Sequence, residues 1–266
     1  MSKLLEIKDL KIVLKKDRRT LVKAISFSLE TGRSVTILGQ SGCGKTMTCH
    51  CIMGLLDPRK FGVSGEILYR GSNLLALPPK EKRTLYGCEI AFIPQNPMTA
   101  FDPSMKIGKQ MTETLRLHTA HPKEEQKSVI LSALKRTGLD DAERVYQSFP
   151  HELSGGMLQR VLIAMVLMVN AQIVIADEPT TALDVVHRNE TIDAFKKLRD
   201  SGTAILTVTH DFAAAIQLGG DLLIMSEGAI IEFGHVEEVL HAPKHSYTQQ
   251  LIAASVLSAD IREVRE

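Results

Sequence analysis

Residues 39–46 form a glycine-rich segment whose spacing suits the binding of phosphate. The segment reads Gly39, Gln40, Ser41, Gly42, Cys43, Gly44, Lys45 and Thr46, which matches the pattern G-x-x-x-x-G-K-[ST]. Its glycines let backbone N–H groups converge on phosphate oxygens, and a following helix adds its positive N-terminal end. We expect Lys45 to reach the β- and γ-phosphates of a nucleotide and the Thr46 hydroxyl to bind Mg²⁺.

Two adjacent acids, Asp177 and Glu178, follow a buried apolar run at residues 173–176. Ligands of open α/β sheets bind at the carboxyl ends of strands, so these acids are candidates for nucleotide chemistry. Asp177 is predicted to hold Mg²⁺, through water, and Glu178 to polarise the water that attacks the γ-phosphate. Because neighbouring residues of a strand point to opposite faces, one acid is expected to face the metal and the other the water. The alternative is an ordinary charged strand end.

A second anion-binding turn lies at Ser154, Gly155, Gly156 and Met157, at the start of a predicted helix that runs to Val169. It combines a hydroxyl, unhindered backbone N–H groups and a helix N-terminus. Since the chain already has one phosphate loop, we expect this turn to serve a nucleotide held by another subunit.

These three segments, in this order, resemble ATP-binding cassette (ABC) ATPases, and the resemblance covers essentially the whole chain. Residues 153–157 resemble the family's signature motif. Gln95 is similar to the Q-loop glutamine, which touches Mg²⁺ and reports to membrane subunits. Asp184 is similar to the D-loop aspartate that crosses the dimer interface, and His210 resembles the switch histidine that contacts the γ-phosphate. Leu14 stands where the family usually has an aromatic residue that stacks on adenine, which leaves the nucleotide selectivity open.

Several segments resemble the peptide/nickel-type importers within this family. They are residues 94–103, 153–160, 175–184 and 241–248. Peptide-handling members often continue with a cysteine-bearing extension, whereas this sequence has no cysteine after Cys88. The resemblance therefore favours the nickel or metal-chelate branch, with an oligopeptide or dipeptide importer as the alternative.

Strand and helix patterns alternate along the chain, which predicts an α/β fold with a mostly parallel sheet. Strands are predicted at residues 25–29, 34–38, 65–69, 89–93, 173–176 and 204–209, and helices at 45–56, 128–135 and 155–169. The resemblance implies an ABC-type nucleotide-binding domain, with a P-loop α/β core, an N-terminal antiparallel β part and an inserted helical lobe. We predict a single domain over residues 1–266, with residues 1–95 and 171–266 as the core and about 96–170 as the lobe.

The overall composition excludes several other classes of protein. The net charge is +1 and tryptophan is absent, so neither a basic field nor a stacking platform for nucleic acid is expected. Residues 161–169, the longest apolar stretch, are too few to span a membrane. The start of the chain is too charged for a signal peptide, and we expect a peripheral location at the cytoplasmic face of the cell (inner) membrane.

The resemblance also implies cofactors and partners. ATP and Mg²⁺ are the expected cofactors. The expected partners are a second ABC ATPase subunit, two transmembrane permease subunits and, indirectly, an extracytoplasmic substrate-binding protein. A sister chain in a heterodimer is the favoured second subunit. Met98, Phe101 and Met105 are candidates for a groove that accepts a membrane-subunit helix, the alternative being that they pack the lobe.

Three other functions fit the sequence less well. A soluble ABC ATPase acting on DNA or ribosomes is disfavoured, because the sequence has no heptad run and no basic patch. An ABC exporter normally carries its own membrane spans in the same chain, and this sequence has no apolar stretch long enough to be one. A non-hydrolytic regulatory subunit would have a degraded site, whereas Lys45, Gln95, Asp177, Glu178 and His210 are all present.

Overall fold

The computed structural model describes residues 3–181 and 183–263, with side chains described as far as residue 254. In chain order the strands are β1 (Lys3–Leu14), β2 (Arg19–Glu30), β3 (Ser34–Leu38), β4 (Phe61–Tyr69), β5 (Ser72–Asn73), β6 (Ile90–Ile93), β7 (Ile173–Asp177), β8 (Ala204–Thr209), β9 (Asp221–Ser226) and β10 (Ala229–His235). The helices are α1 (Lys45–Ile52), α2 (Pro79–Leu85), α3 (Ile107–His118), α4 (Lys123–Arg136), α5 (Ala142–Gln147), α6 (Gly155–Val169), α7 (Val185–Asp200), α8 (Phe212–Leu218), α9 (Val236–His241) and α10 (Ser246–Glu263).

Contacts divide the chain into two compact units. The first unit holds the residues up to Glu30, Ser34–Ala76 and the residues from Leu206 onward. The second unit holds Thr31–Arg33 and Leu77–Ile205. The phosphate loop and His210 therefore belong to the first unit, and the other predicted site residues belong to the second. The division into a core and a helical lobe within one domain stays a prediction.

The first unit contains an antiparallel sheet in the order β2-β1-β4-β5 and three further strands in the order β10-β9-β3. β3 is parallel to β9, with Val35 opposite Asp221 and Leu38 opposite Ile224. All five residues of β3 are buried, as expected for a parallel strand covered on both faces. A core cluster around Leu38, Phe212 and Ile224 supports the end of β3 from which the phosphate loop departs.

The second unit contains the parallel pair β6 and β7, with Ile90 opposite Ile173 and Ile93 opposite Ala176. Helices α2 to α7 also belong to it. α6 is apolar around most of its circumference and is buried along most of its length, as that pattern requires. Among the described residues, no helix is both long and apolar enough to cross a membrane.

Helix α1 ends four residues earlier than the sequence pattern predicts. We expected it to continue to residue 56, before Asp57 and Pro58, but it ends at Ile52. Gly54 adopts a φ of 65°, its N–H donates to Cys51 O at 3.0 Å, and the Leu55 N–H donates to His50 O at 2.8 Å. This pair of hydrogen bonds is the Schellman arrangement, in which a left-handed glycine satisfies the last carbonyls of a helix.

The predicted fold class is confirmed. The protein has a mixed α/β fold with an antiparallel N-terminal sheet and parallel strands that alternate with helices. Each of the six predicted strands lies in, or overlaps, a strand of the structure. The helix predicted at residues 128–135 is longer, because α4 begins at Lys123, directly after Pro122.

Candidate nucleotide-binding and hydrolysis site

The phosphate loop links the end of β3 to the start of α1 and has two positions that only glycine can occupy. A Cβ atom on Gly39 would overlap the carbonyl oxygen of Met225. Gly44 has a φ of 109°, and a Cβ there would lie 2.8 Å from Leu21 O. The loop is therefore pressed against neighbouring backbone on both sides, which fixes the direction of its N–H groups.

Lys45 is held by the loop that it serves. The residue is only 5% exposed, and its Nζ donates to Gly39 O at 2.7 Å and to Gln40 O at 3.1 Å. These carbonyls stabilise a buried ammonium group inside the loop, next to the N-terminus of α1. Thr46, in the first turn of α1, is exposed. A cation and a helix N-terminus at one loop are what a bound polyphosphate requires.

His210 and Leu14 also lie in the first unit. His210 follows β8 directly and is exposed. The next residue, Asp211, caps helix α8 by accepting from the Ala214 N–H at 3.1 Å, so the backbone around His210 is fixed on one side. Leu14 is the last residue of β1, is half-buried, and lies opposite Phe61 of β4.

In the second unit, Asp177 is the last residue of β7 and Glu178 begins the turn that follows. The two residues are buried, with 4% and 8% exposure. Glu178 has a φ of 48°, a left-handed conformation that is strained for a residue with a side chain. The expectation that strand alternation separates the two acids was wrong, because Glu178 lies outside the strand and the turn sets its direction.

A hydrogen bond that the sequence reasoning missed orients Glu178. The Thr181 hydroxyl donates to Glu178 Oε2 at 2.9 Å, and the Thr181 N–H donates to Glu178 O at 3.2 Å. These two hydrogen bonds close the turn over residues 178–181. A threonine three residues after a strand-end acid was the only signal for this contact.

The signature turn begins helix α6. Ser154 is the N-cap, and its hydroxyl oxygen accepts from the Met157 N–H at 3.2 Å. A hydroxyl that accepts this bond still has its own proton to donate to an anion. Ser154 and Gly155 are exposed, whereas Gly156 is buried against His187, where an added Cβ would lie 2.9 Å from the His187 side chain.

Asp184 makes two hydrogen bonds to His187 of its own chain. Its Oδ1 accepts from the His187 N–H at 3.0 Å, which caps helix α7, and its Oδ2 lies 2.6 Å from His187 Nδ1. The backbone hydrogen bond from His187, followed by the bond to its side chain, lowers the pKa of Asp184 below its ordinary value. Sequence analysis did not single out His187, although its spacing of three residues from an N-cap acid is the signal. The interface role of Asp184 stays a prediction.

One cavity of about 460 Å³ in the second unit brings three of the predicted segments together. Gln95, Gly155 and Leu183 all line it, so the Q-loop, the signature turn and the D-loop share one space. Met98 also lines the cavity and is 40% exposed, whereas Phe101 is 7% exposed and packs inside the unit. The proposal that Phe101 lines a docking groove was therefore wrong, because its ring is already covered.

The residues predicted to bind Mg²⁺ are Thr46, Gln95 and Asp177. They offer a hydroxyl, an amide and a carboxylate oxygen, and this set of oxygen donors fits a hard cation such as Mg²⁺. Their assignment as ligands stays a prediction.

The sequence model of the ABC transporter family matches residues 22–181, which is more than half of the chain. The chain belongs to the ABC transporter family. An ATP-binding protein of the metal-staphylopine import system, CntD of Staphylococcus aureus strain Mu50, is 37% identical over 94% of this chain and 92% of its own. The oligopeptide transport ATP-binding protein OppD of Bacillus subtilis is 40% identical over 96% of this chain and 72% of its own.

Among solved structures, the dimeric post-hydrolysis state of the ATP-binding cassette MJ0796, bound to ADP and Pi, is 26% identical with a TM-score of 0.75. The match covers 87% of this chain and 98% of that one. These comparisons confirm the prediction of an ABC ATPase, the predicted nucleotide and the resemblance to ATP-binding subunits of the peptide/nickel type. The roles of the individual site residues stay predictions.

Proposed function

We propose that this ABC ATPase is the ATP-hydrolysing subunit of an importer of the peptide/nickel type. Two relatives named for metal-staphylopine import and oligopeptide transport, similar to almost the whole of this chain, support the proposal. In this role the chain couples ATP hydrolysis to the movement of a substrate that it does not itself contact.

The catalytic steps are assigned to residues of this chain. The loop of residues 39–46 binds the phosphates, and the Lys45 ammonium group, held in the loop by the carbonyls of Gly39 and Gln40, donates to the phosphate oxygens. Mg²⁺, held by Thr46, Gln95 and Asp177, would neutralise phosphate charge when bound. Glu178 accepts the proton of the attacking water, and the bond from Thr181 fixes its carboxylate for this task. His210 contacts the γ-phosphate.

The exposed N-terminus of α6 is the observation that supports a two-cassette mechanism. Ser154 and Gly155 are open to solvent, although Leu153 and Gly156 on either side of them are buried. We assign this turn, residues 154–157, to the γ-phosphate of a nucleotide held by a second cassette. Asp184 then lies at the same interface. ATP binding closes the two cassettes, and hydrolysis reopens them.

The proposal places the chain at the cytoplasmic face of a membrane, bound to two permease subunits. A sister cassette is the second ATPase, and an extracytoplasmic binding protein delivers the substrate. Met98 and Met105, exposed and half-exposed respectively, remain candidates for contact with a permease helix. A metal chelate is the first candidate substrate. A short peptide is the second, because OppD is similar over 96% of this chain.

Uptake in cells tests this proposal. Cells whose only copy is wild type, Glu178→Gln or the surface control Glu124→Gln are given labelled nickel or cobalt, with and without chelator, or a labelled dipeptide. We expect Glu178→Gln to abolish uptake of one substrate class while the purified variant still binds ATP. Normal ATP turnover in Glu178→Gln would refute the catalytic assignment.

The substrate that is lost identifies the branch. Loss of metal uptake alone assigns the chain to metal chelates, and loss of dipeptide uptake alone assigns it to peptides. If neither uptake changes while ATP turnover is lost, the importer proposal is wrong, although the ATPase assignment holds. Glu124, an exposed residue in the first turn of α4, reports whether the loss of a glutamate charge matters by itself.

A further inference from the structure

The phosphate loop receives a contact from a residue far along the chain. The Gln40 N–H donates to the hydroxyl oxygen of Tyr247 at 3.1 Å, across 207 positions of sequence. The donor is the first backbone N–H after Gly39, and both residues belong to the first unit. This bond therefore joins the C-terminal part of the unit to the start of the nucleotide-binding motif.

The same peptide group is held on its opposite side by Lys45. Gly39 O and the Gln40 N–H belong to one peptide plane, because they flank a single planar C–N bond. Lys45 Nζ donates to that carbonyl at 2.7 Å, while Tyr247 accepts from the N–H. Rotation of this peptide would break both bonds at once, so Tyr247 and Lys45 fix its orientation together.

Tyr247 is itself firmly placed. Its side chain packs against the core cluster that contains Leu38, the residue directly before the loop. Its N–H donates to His245 Nδ1 at 3.1 Å. Tyr247 is the second residue of helix α10, and packing of its ring beside the end of β3 fixes the position of the hydroxyl.

Glu232 of β10 secures the segment that carries Tyr247. Its two carboxylate oxygens accept from the Lys244 N–H at 2.8 Å and from the His245 N–H at 3.1 Å. Burial of Glu232 raises its pKa, but hydrogen bonds from the Lys244 N–H, the Thr248 side chain and the His245 N–H together outweigh the burial and hold the pKa below its ordinary value. A charged acceptor on two consecutive N–H groups fixes the chain two residues before Tyr247.

We propose that Tyr247 is a positioning residue for ATP binding: its hydroxyl fixes the Gly39–Gln40 peptide and thereby sets Lys45 before the nucleotide arrives. The inference rests on the proposed function, in which the loop and Lys45 bind the phosphates. Without the hydroxyl, the peptide must be ordered when ATP binds, which costs affinity. Bound phosphates then hold the loop directly, so turnover at saturating ATP changes little.

The experiment measures the ATP affinity of the purified full chain by calorimetry, and KM and kcat for ATP hydrolysis in the complex of this chain with its partner subunits. Tyr247→Phe removes only the hydroxyl, and Tyr146→Phe is the matched control. Tyr146 lies in the second unit, and its hydroxyl is 3.4 Å from Thr112 Oγ1. Loss of one hydrogen bond predicts a rise of about 2–10-fold in Kd and KM for Tyr247→Phe, with kcat within about twofold of wild type. Tyr146→Phe should leave these values unchanged.

A third variant separates failure of the Tyr247 proposal from failure of the phosphate-loop assignment. Lys45→Ala is expected to lose ATP binding. If it does and Tyr247→Phe binds like wild type, the Tyr247 proposal is wrong and the phosphate-loop assignment stands. If Lys45→Ala also binds like wild type, the loop assignment itself is wrong and the Tyr247 proposal falls with it. An equal rise in Kd for Tyr146→Phe would likewise overturn the proposal, since the effect would not be specific to the loop.

Glu232→Gln supplies an independent check of the pathway. We expect it to raise Kd in the same direction, because a neutral amide holds the Lys244 and His245 N–H groups less strongly. In the Tyr247→Phe background it should add almost nothing, since both changes act through one contact. Fully additive effects would contradict the pathway from Glu232 through Tyr247.

Discussion

The two glycines of the signature turn should respond in opposite ways to the same substitution. Gly155 and Gly156 are adjacent in the first turn of α6, but their surroundings differ. A Cβ on Gly155 would meet only Leu183 Cδ2, at 4.0 Å, which is ordinary contact. A Cβ on Gly156 would lie 2.9 Å from both Cβ and Cδ2 of His187.

The expected difference in stability follows from these contacts. Replacing glycine by alanine at a compatible position stabilises a protein by about 0.4–1 kcal/mol, because the unfolded chain loses freedom. Gly155→Ala and Gly156→Ala both gain this stabilisation. Gly156→Ala must also push His187 and the start of α7 away, and such overpacking typically costs about 1–3 kcal/mol. We therefore expect Gly156→Ala to be less stable than Gly155→Ala by about 1–3 kcal/mol.

Thermal or denaturant unfolding of the purified chain tests this expectation. Each kcal/mol corresponds to about 2–4 °C in Tm for a domain of this size. In a double-mutant cycle, His187→Ala should offset part of the cost of Gly156→Ala, because it removes Cδ2 and leaves only the Cβ contact. Equal Tm values for the two glycine variants would refute the reasoning, since the close approach of His187 would then cost nothing.

Two further predictions concern acids that bind backbone N–H groups. The pKa of Glu232 is lowered in the folded state, so its contribution to stability is complete above about pH 4.5 and is lost as the pH falls through the folded value. The Tm difference between wild type and Glu232→Gln should therefore be largest near pH 7 and should shrink at acidic pH; a difference that grows on acidification would contradict this sign. Asp184→Ala should lower Tm in the isolated chain, whereas Asp184→Asn should largely preserve it, because asparagine also caps helices. Equal losses for the two Asp184 variants would show that the cap at α7 is not what stabilises this turn.

Local sequence patterns predicted the strands and helices well where the apolar periodicity and the residue types indicate the same element. β8 lies at the predicted residues 204–209, and α6 covers the predicted helix at 155–169. The end of α1 was missed because Asp57 and Pro58 are the more obvious stop, whereas Gly54 ends the helix by its left-handed backbone. A glycine near the end of a short helical pattern can continue the helix or cap it, and the sequence alone does not distinguish the two.

In the candidate site, too, some features were predictable from the sequence and others were not. The residue types of the phosphate loop, the acids at the end of β7 and the signature turn were all recognisable, because phosphate and metal chemistry demands particular groups at short spacing. The hydrogen bonds from Thr181 to Glu178 and from His187 to Asp184 were indicated only by a spacing of three residues, because the turns that form them take shape only on folding.

The sequence by itself determined that this protein is an ABC ATPase, and it predicted which residues bind and hydrolyse the nucleotide, because those motifs are local and chemically specific. Only the tertiary structure decided how the motifs are held. Gly156 has no room for a side chain because His187 of α7 packs against it, and the Gly39–Gln40 peptide is oriented by Tyr247 from 207 positions away. Contacts between residues distant in sequence leave no periodic trace in the chain, so they appear only when packing brings the residues together.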